Sequence, residues 1–163
     1  MKLMFASDIH GSLPATERVL ELFAQSGAQW LVILGDVLNH GPRNALPEGY
    51  APAKVAERLN EVAHKVIAPW QQVLLEKQRL FLTHGHLFGP ENLPALNQND
   101  VLVYGHTHLP VAEQRGEIFH FNPGSVSIPK GGNPASYGML DNDVLSVIAL
   151  NDQSIIAQVA INP

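Results

Sequence analysis

The sequence contains no cysteine, which removes disulfides and thiolate metal sites together and agrees with a reducing compartment. Any metal must therefore be held by His, Asp, Asn or Glu. Long apolar runs are missing too: the longest, Trp30 to Leu34, falls far short of the roughly 20 residues that span a bilayer. Met1-Lys2 leads straight into an apolar strand and not into a secretory leader. These shortages point to a cytoplasmic protein without a membrane partner. Basic residues are scarce as well, 10 Lys and Arg against 15 Asp and Glu for a formal charge of −5. They form no cluster, whereas a protein that grips long nucleic acid shows a basic stripe. Small phosphorylated ligands suit this charge better. What is present is 163 residues, 45% of them hydrophobic, which is material for one core and one domain. Histidine is plentiful at eight, so the useful question is where the histidines fall.

Lys2 to Ala6 reads as a buried strand. Ser12 is a plausible N-cap and Pro14 suits a first helical turn, with Val19, Leu20, Leu22 and Phe23 as an apolar face and Gly27 as the stop. Trp30 to Leu34 has the unbroken apolar pattern of a strand covered on both faces. Asn39 to Pro52, rich in Gly and Pro, reads as a long loop. Ala53 to Ala63 is expected to be a helix and Lys65 to Ala68 a strand, so the first half alternates as a parallel α/β unit does. From Pro69 onward the texture turns to hairpins: 72–75 with 79–83, 111–121 around Arg115-Gly116, and 137–150 around Asp141-Asn142-Asp143. Val101 to Tyr104 and Ile155 to Ile161 are further strands. The change of texture suggests two sheets packed face to face with helices outside.

Chemistry-bearing residues fall at four expected strand ends: Asp8 and His10, then Asp36, then His84, then His106 and His108. In open α/β sheets that edge is where ligands bind. Each alone has an ordinary reading, an Asp as a turn or cap former and a single His as a satisfied structural residue. Together they supply hard oxygen and borderline nitrogen donors suited to first-row divalent ions. Six ligands are too many for one tetrahedral ion and about right for two that share Asp36. His40, Arg43 and Asn44 on the long loop could reach a substrate phosphate, and exposed loop residues are the competing explanation. His64 and His120 read as ordinary structural residues.

With Asp8-Ile9-His10, Gly35-Asp36, His84-Gly85 and Gly105-His106-Thr107-His108 in place, the sequence resembles the calcineurin-like metallophosphoesterase superfamily, in its small bacterial phosphodiesterase branch, along essentially the whole chain. The resemblance implies a four-layer α/β/β/α sandwich of two mixed sheets. It implies Asp8, His10 and His108 on one metal, His84 and His106 on a second, and Asp36 between them. Two divalent ions are expected, Mn2+ first, with Zn2+, Fe2+ or Ni2+ as alternatives. The implied activity is hydrolysis of a small phosphodiester by metal-bound hydroxide, with His86 or His40 as proton donor and Arg43 and Asn44 on the substrate. A homo-oligomer is compatible with this reading. Asn122-Pro123-Gly124-Ser125 looks like a family loop near the site. The family's Gly-Asn-x-Asp block is absent where it should follow Lys65 to Ala68, which suggests a missing segment between Ala68 and Pro69. The alternative reading is a non-catalytic binding scaffold on the same fold.

Overall fold

The computed structural model describes residues 1–67, 70–75 and 78–161. In chain order the elements are β1 (Leu3–Ala6), α1 (Leu13–Ser26), β2 (Trp30–Ile33), α2 (Pro52–Asn60), β3 (Lys65–Ile67), β4 (Trp70–Leu74), β5 (Arg79–Thr83), β6 (Val101–Val103), β7 (Pro110–Arg115), β8 (Ile118–Pro123), β9 (Ser136–Asp141), β10 (Val144–Ala149) and β11 (Ile155–Ala160). They form a six-stranded sheet, β11-β10-β9-β1-β2-β3, and a five-stranded sheet, β4-β5-β6-β8-β7. Both are mixed. β1, β2 and β3 run parallel, as the alternating half of the sequence requires, and β9 joins β1 antiparallel. In the second sheet β5, β6 and β8 are parallel, with β4 and β7 antiparallel at the edges.

Strand alternation sorts the core into layers. Phe5, Val32 and Leu34 meet Leu80, Leu82, Val101, Val103 and Phe121 between the sheets. Phe5 and Phe121 contact edge to face at 5.5 Å, and both side chains are completely buried. The other face of the six-stranded sheet presents Met4, Ala6, Leu31 and Ile33 to Val19 and Leu22 of α1 and Val55 and Leu59 of α2. The outer face of the five-stranded sheet carries a smaller cluster, Phe81, Leu102 and Tyr104, covered by Phe88 and Leu96. There the cover comes from the irregular 84–99 segment, and both helices among the described residues lie on the opposite side of the molecule.

The expected caps of α1 are present: Ser12 accepts from the Ala15 amide, and Gly27 ends the helix in the left-handed region at φ 70°. α2 begins at Pro52 and stops at Asn60, three residues before the expected Ala63, because Glu61 N and Val62 N turn to the carbonyls three residues back. β3 is described to Ile67; Ala68, Pro69 and the Glu76-Lys77 part of the first hairpin turn lie outside the described residues. Only two residues separate β3 of one sheet from β4 of the other. Among the described residues no helix is long and apolar enough to cross a membrane.

Candidate metal centre

The carboxyl ends of β1, β2, β5 and β6 meet at one edge of the molecule, and the six candidate ligands stand there in two groups. Asp8, His10 and His108 place one ligand atom each within 4.8 Å of one another, and Asp36, His84 and His106 do the same. The groups adjoin: Asp36 Oδ2 lies 3.4 Å from His84 Nε2 and 3.7 Å from His10 Nε2. The loops after β1 and β2 stay laced beyond the sheet, with Asp8 N donating to Gly35 O at 3.2 Å and His10 N to Asp36 O at 2.7 Å.

Five of the six have left-handed backbones: Asp8 (φ 54°), His10 (51°), Asp36 (44°), His106 (66°) and His108 (62°). Such conformations cost non-glycine residues about 1–3 kcal/mol each and persist only where the surroundings enforce them. The two flanking glycines have steric reasons. A Cβ at Gly35 would come within 2.7 Å of the His84 ring, and one at Gly105 within 2.0 Å of Ser7 Oγ. The Gly-Asp and Gly-His pairs thus let separate strand ends approach closely.

The hydrogen bonds leave the donor set ready for cations. His10 Nδ1 meets Asn39 O at 2.6 Å, His108 Nδ1 meets Ile128 O at 2.5 Å and His84 Nδ1 meets Leu34 O at 3.1 Å. A carbonyl only accepts, so each Nδ1 carries a proton, and each ring in its neutral form turns an Nε2 lone pair inward. Two such lone pairs, on His10 and His108, face each other at 3.3 Å, which is repulsive unless a positive charge lies with them. Asp8 shows the same need. Its Oδ2 accepts from Ser7 Oγ at 2.7 Å and His106 N at 3.1 Å, while the fully buried Oδ1 has no hydrogen-bond partner. That orphan oxygen lies 3.2 Å from His108 Nε2 and 3.7 Å from His10 Nε2. Buried carboxylate oxygens are normally satisfied, and a divalent cation would satisfy this one. The donor set therefore fits metal ions.

Around Asp36 the ionisation is shaped by proximity. The His84 contact holds the Asp36 carboxyl below its usual range. Burial pushes the His84 imidazole down, but the Asp36 contact and the field of Asp8 prevail and raise it. Burial and repulsion from His84 lower His106.

Above the clusters opens a cavity of about 600 Å³ lined by Asp36, Asn39, Gly41, Pro42, Arg43, Asn44, His106, His108 and Lys130. Arg43 and Asn44 are thus brought to the cavity beside the candidate ligands. His40 does not line it; the ring packs on Tyr50, with centroids 5.6 Å apart, and its Nδ1 is buried without a partner. His86 is exposed, its ring 5.5 Å from that of His84. A second hollow of about 500 Å³, around Leu20, Phe23 and His64, lies at the opposite ends of β2 and β3. Lys130 and the supports of Asp8 escaped the sequence reading. Ser125 Oγ and Ser127 Oγ both donate to Asp8 O, at 2.9 and 2.8 Å, and Asn122 Nδ2 donates to Gly105 O at 3.0 Å. The Asn-Pro-Gly-Ser run was their one visible signal.

Residues 1–144 match the model of the calcineurin-like phosphoesterase superfamily domain. Phosphodiesterase YfcE of Escherichia coli strain K12 is 89% identical over 183 aligned positions, covering all of this chain and all of that protein. Since this chain has 163 residues, 20 of those positions have no counterpart here. The solved structure of the Escherichia coli phosphoesterase YfcE superposes with a TM-score of 0.95 at 85% identity, covering 99% of this chain and 100% of that one. Vps29 of Entamoeba histolytica, solved with Zn2+, shares the fold at 19% identity and a TM-score of 0.63 over 99% of this chain and 100% of its own. The chain belongs to the calcineurin-like phosphoesterase superfamily and is a metal-dependent phosphoesterase.

Proposed function

We propose that this protein hydrolyses a small phosphodiester with two divalent cations, one held by Asp8, His10 and His108, the other by His84 and His106, with Asp36 shared. The observation that carries this reading is the orphan Asp8 Oδ1 beside two inward-facing imidazole lone pairs, adjoined by a second carboxylate–histidine group under a common cavity. The similarity to a protein called a phosphodiesterase supports the diester. When bound, two such ions supply a water acidified toward neutral pH and positive charge for the phosphoryl oxygens.

The chain's own residues do the positioning. The backbone carbonyls of Asn39, Leu34 and Ile128 accept from His10, His84 and His108 and fix ring orientation and the Nδ1 proton. Asn39, Gly41 and Pro42 wall the cavity and bring Arg43 and Asn44 to the substrate. Neither candidate proton donor lines the cavity; His86, exposed beside His84, is assigned the protonation of the leaving oxygen. His40, turned against Tyr50, supports the wall. Mn2+ is the expected metal and the cytoplasm the expected compartment.

The reading includes a segment missing between Ala68 and Pro69, which would carry the family's Asn ligand. Two observations support it: the 20 unmatched positions in the alignment, and the passage between sheets across two residues. That gap also gives the scaffold alternative its one specific support. The test is turnover of bis(4-nitrophenyl) phosphate by metal-stripped protein to which Mn2+ is returned, with and without the segment restored. We expect metal-dependent release of 4-nitrophenol. No turnover with any divalent ion at full length would favour the scaffold.

A further inference from the structure

The cavity walls carry more positive charge than a simple diester needs. Among the described residues Lys2, Arg18, Arg58, Arg79 and Arg115 pair with carboxylates, and Lys65 donates to the Val62 carbonyl. Arg43, Lys54 and Lys130 have no such partner, and two of these three line the same cavity. The protein as a whole is acidic, so their placement is not a by-product of a basic surface.

Both cations sit on tied-down turns. On the Arg43 loop, Gly41 N donates to Asn39 Oδ1 at 2.9 Å and Asn44 Nδ2 to His40 O at 3.0 Å, while Asn39 O receives the His10 ring proton at 2.6 Å. On the Lys130 loop, Asn133 Nδ2 donates to Lys130 O at 2.9 Å, and Ile128 O receives the His108 ring proton at 2.5 Å. Each loop is therefore hydrogen-bonded to one histidine of the buried cluster, which sets the backbone that carries its cation beside the reacting centre.

Charge balance then selects a substrate class, given the dinuclear phosphodiesterase reading on which this step rests. Only two of the six ligands are carboxylates, so two divalent ions already outweigh the single charge of a diester. Arg43 and Lys130 have little left to neutralise at the scissile group. The cavity, about 600 Å³, is in the range of sites that hold whole small molecules and not a phosphate alone. We infer that Lys130, with Arg43, forms a second anion subsite, and that the preferred substrates are nucleotide-sized diesters bearing a further phosphate away from the bond that is cut.

The test compares thymidine 5′-(4-nitrophenyl phosphate) with the same ester carrying a 3′-phosphate, both read by 4-nitrophenol release with Mn2+. Wild type is expected to favour the 3′-phosphorylated ester in kcat/KM by about fivefold, the scale of a partly exposed charge pair. The gain should lie mainly in KM, since a remote subsite binds ground and transition states alike, and should shrink as salt is raised. Lys130→Met should bring the ratio toward one, and Lys130→Arg should keep it. Tighter calorimetric binding of thymidine 3′,5′-bisphosphate than of thymidine 5′-monophosphate, lost in Lys130→Met, is the matching readout without turnover. Cleavage of both esters with the same ratio in wild type and Lys130→Met overturns the subsite and leaves the phosphodiesterase reading intact. Cleavage of neither ester by wild type with the segment restored and any divalent ion supplied overturns that reading, and the subsite with it.

Discussion

Asp36 and Asp8 do different work although both are carboxylates at strand ends. Asp8 is completely buried, its Oδ2 satisfied by Ser7 and His106 and its Oδ1 left open, so it gains most from a cation. Asp36 is partly exposed at the cavity floor and touches histidines of both groups. Replacing it with Asn keeps the volume and removes the charge, so we expect Asp36→Asn to fold normally and to lose more than about 100-fold in Mn2+-dependent rate, the upper end of what even outer ligand supports cost. A circular dichroism melt and a diester assay on the same sample check this; a near wild-type rate would contradict the shared role. Ser127 reaches the site only through the Asp8 carbonyl. Ser127→Ala should weaken Mn2+ about tenfold, measured by titration calorimetry, and unchanged affinity would show that Ser125 alone suffices to hold that turn.

At the scale of elements, one hydroxyl joins a helix to the cavity wall. Ser12 Oγ accepts from the Ala15 amide at the start of α1 and donates to Glu48 O at 2.8 Å, at the far end of the loop that carries Arg43. Ser12→Ala removes both bonds. The capping loss is worth about 1 kcal/mol, and the second bond adds a similar amount. Urea unfolding should show a total near 2 kcal/mol. Ser12→Asp, which can still cap, should recover the helix part alone. The sheets behave as the hydrophobic pattern dictates, because period-two alternation sends Leu80 and Leu82 to one face and Phe81 to the other. The third hairpin turn likewise falls at Asn142 and Asp143, both with positive φ, as their turn chemistry requires.

For the molecule as a whole, acid sensitivity has a source outside the metal centre. His120 on β8 is buried beneath Tyr104 with its Nδ1 unpartnered. Burial, helped by Arg115, lowers its pKa. A base with a depressed folded-state pKa binds fewer protons folded than unfolded, so stability rises with pH across the gap. The contribution is complete above the unfolded value of about 6.5 and is lost as pH falls from there toward the folded value. His120→Phe should flatten that part of the curve. Denaturant unfolding of both proteins between pH 5 and 7.5 checks it, and parallel curves would exclude His120 as the source.

The amino-acid sequence alone determined the strand-helix alternation, the hairpins, the caps of α1 and the six candidate ligand positions, because these are local: a run of apolar residues, a turn dipeptide, or a carboxylate or imidazole just past a strand. It also carried enough motif content to indicate a phosphoesterase. What only the tertiary structure decided are relations between distant segments. The proton on His10 is fixed by a carbonyl 29 residues away and that on His108 by one 20 residues away, and Asp8 is supported by hydroxyls more than 100 residues downstream. Lys130 lies in a turn with no periodicity to mark it, and it joins Arg43 only because two loops close over one sheet edge. Hydrogen-bond partners and shared cavities are set by packing, and packing brings together residues whose spacing along the chain carries no trace of the contact.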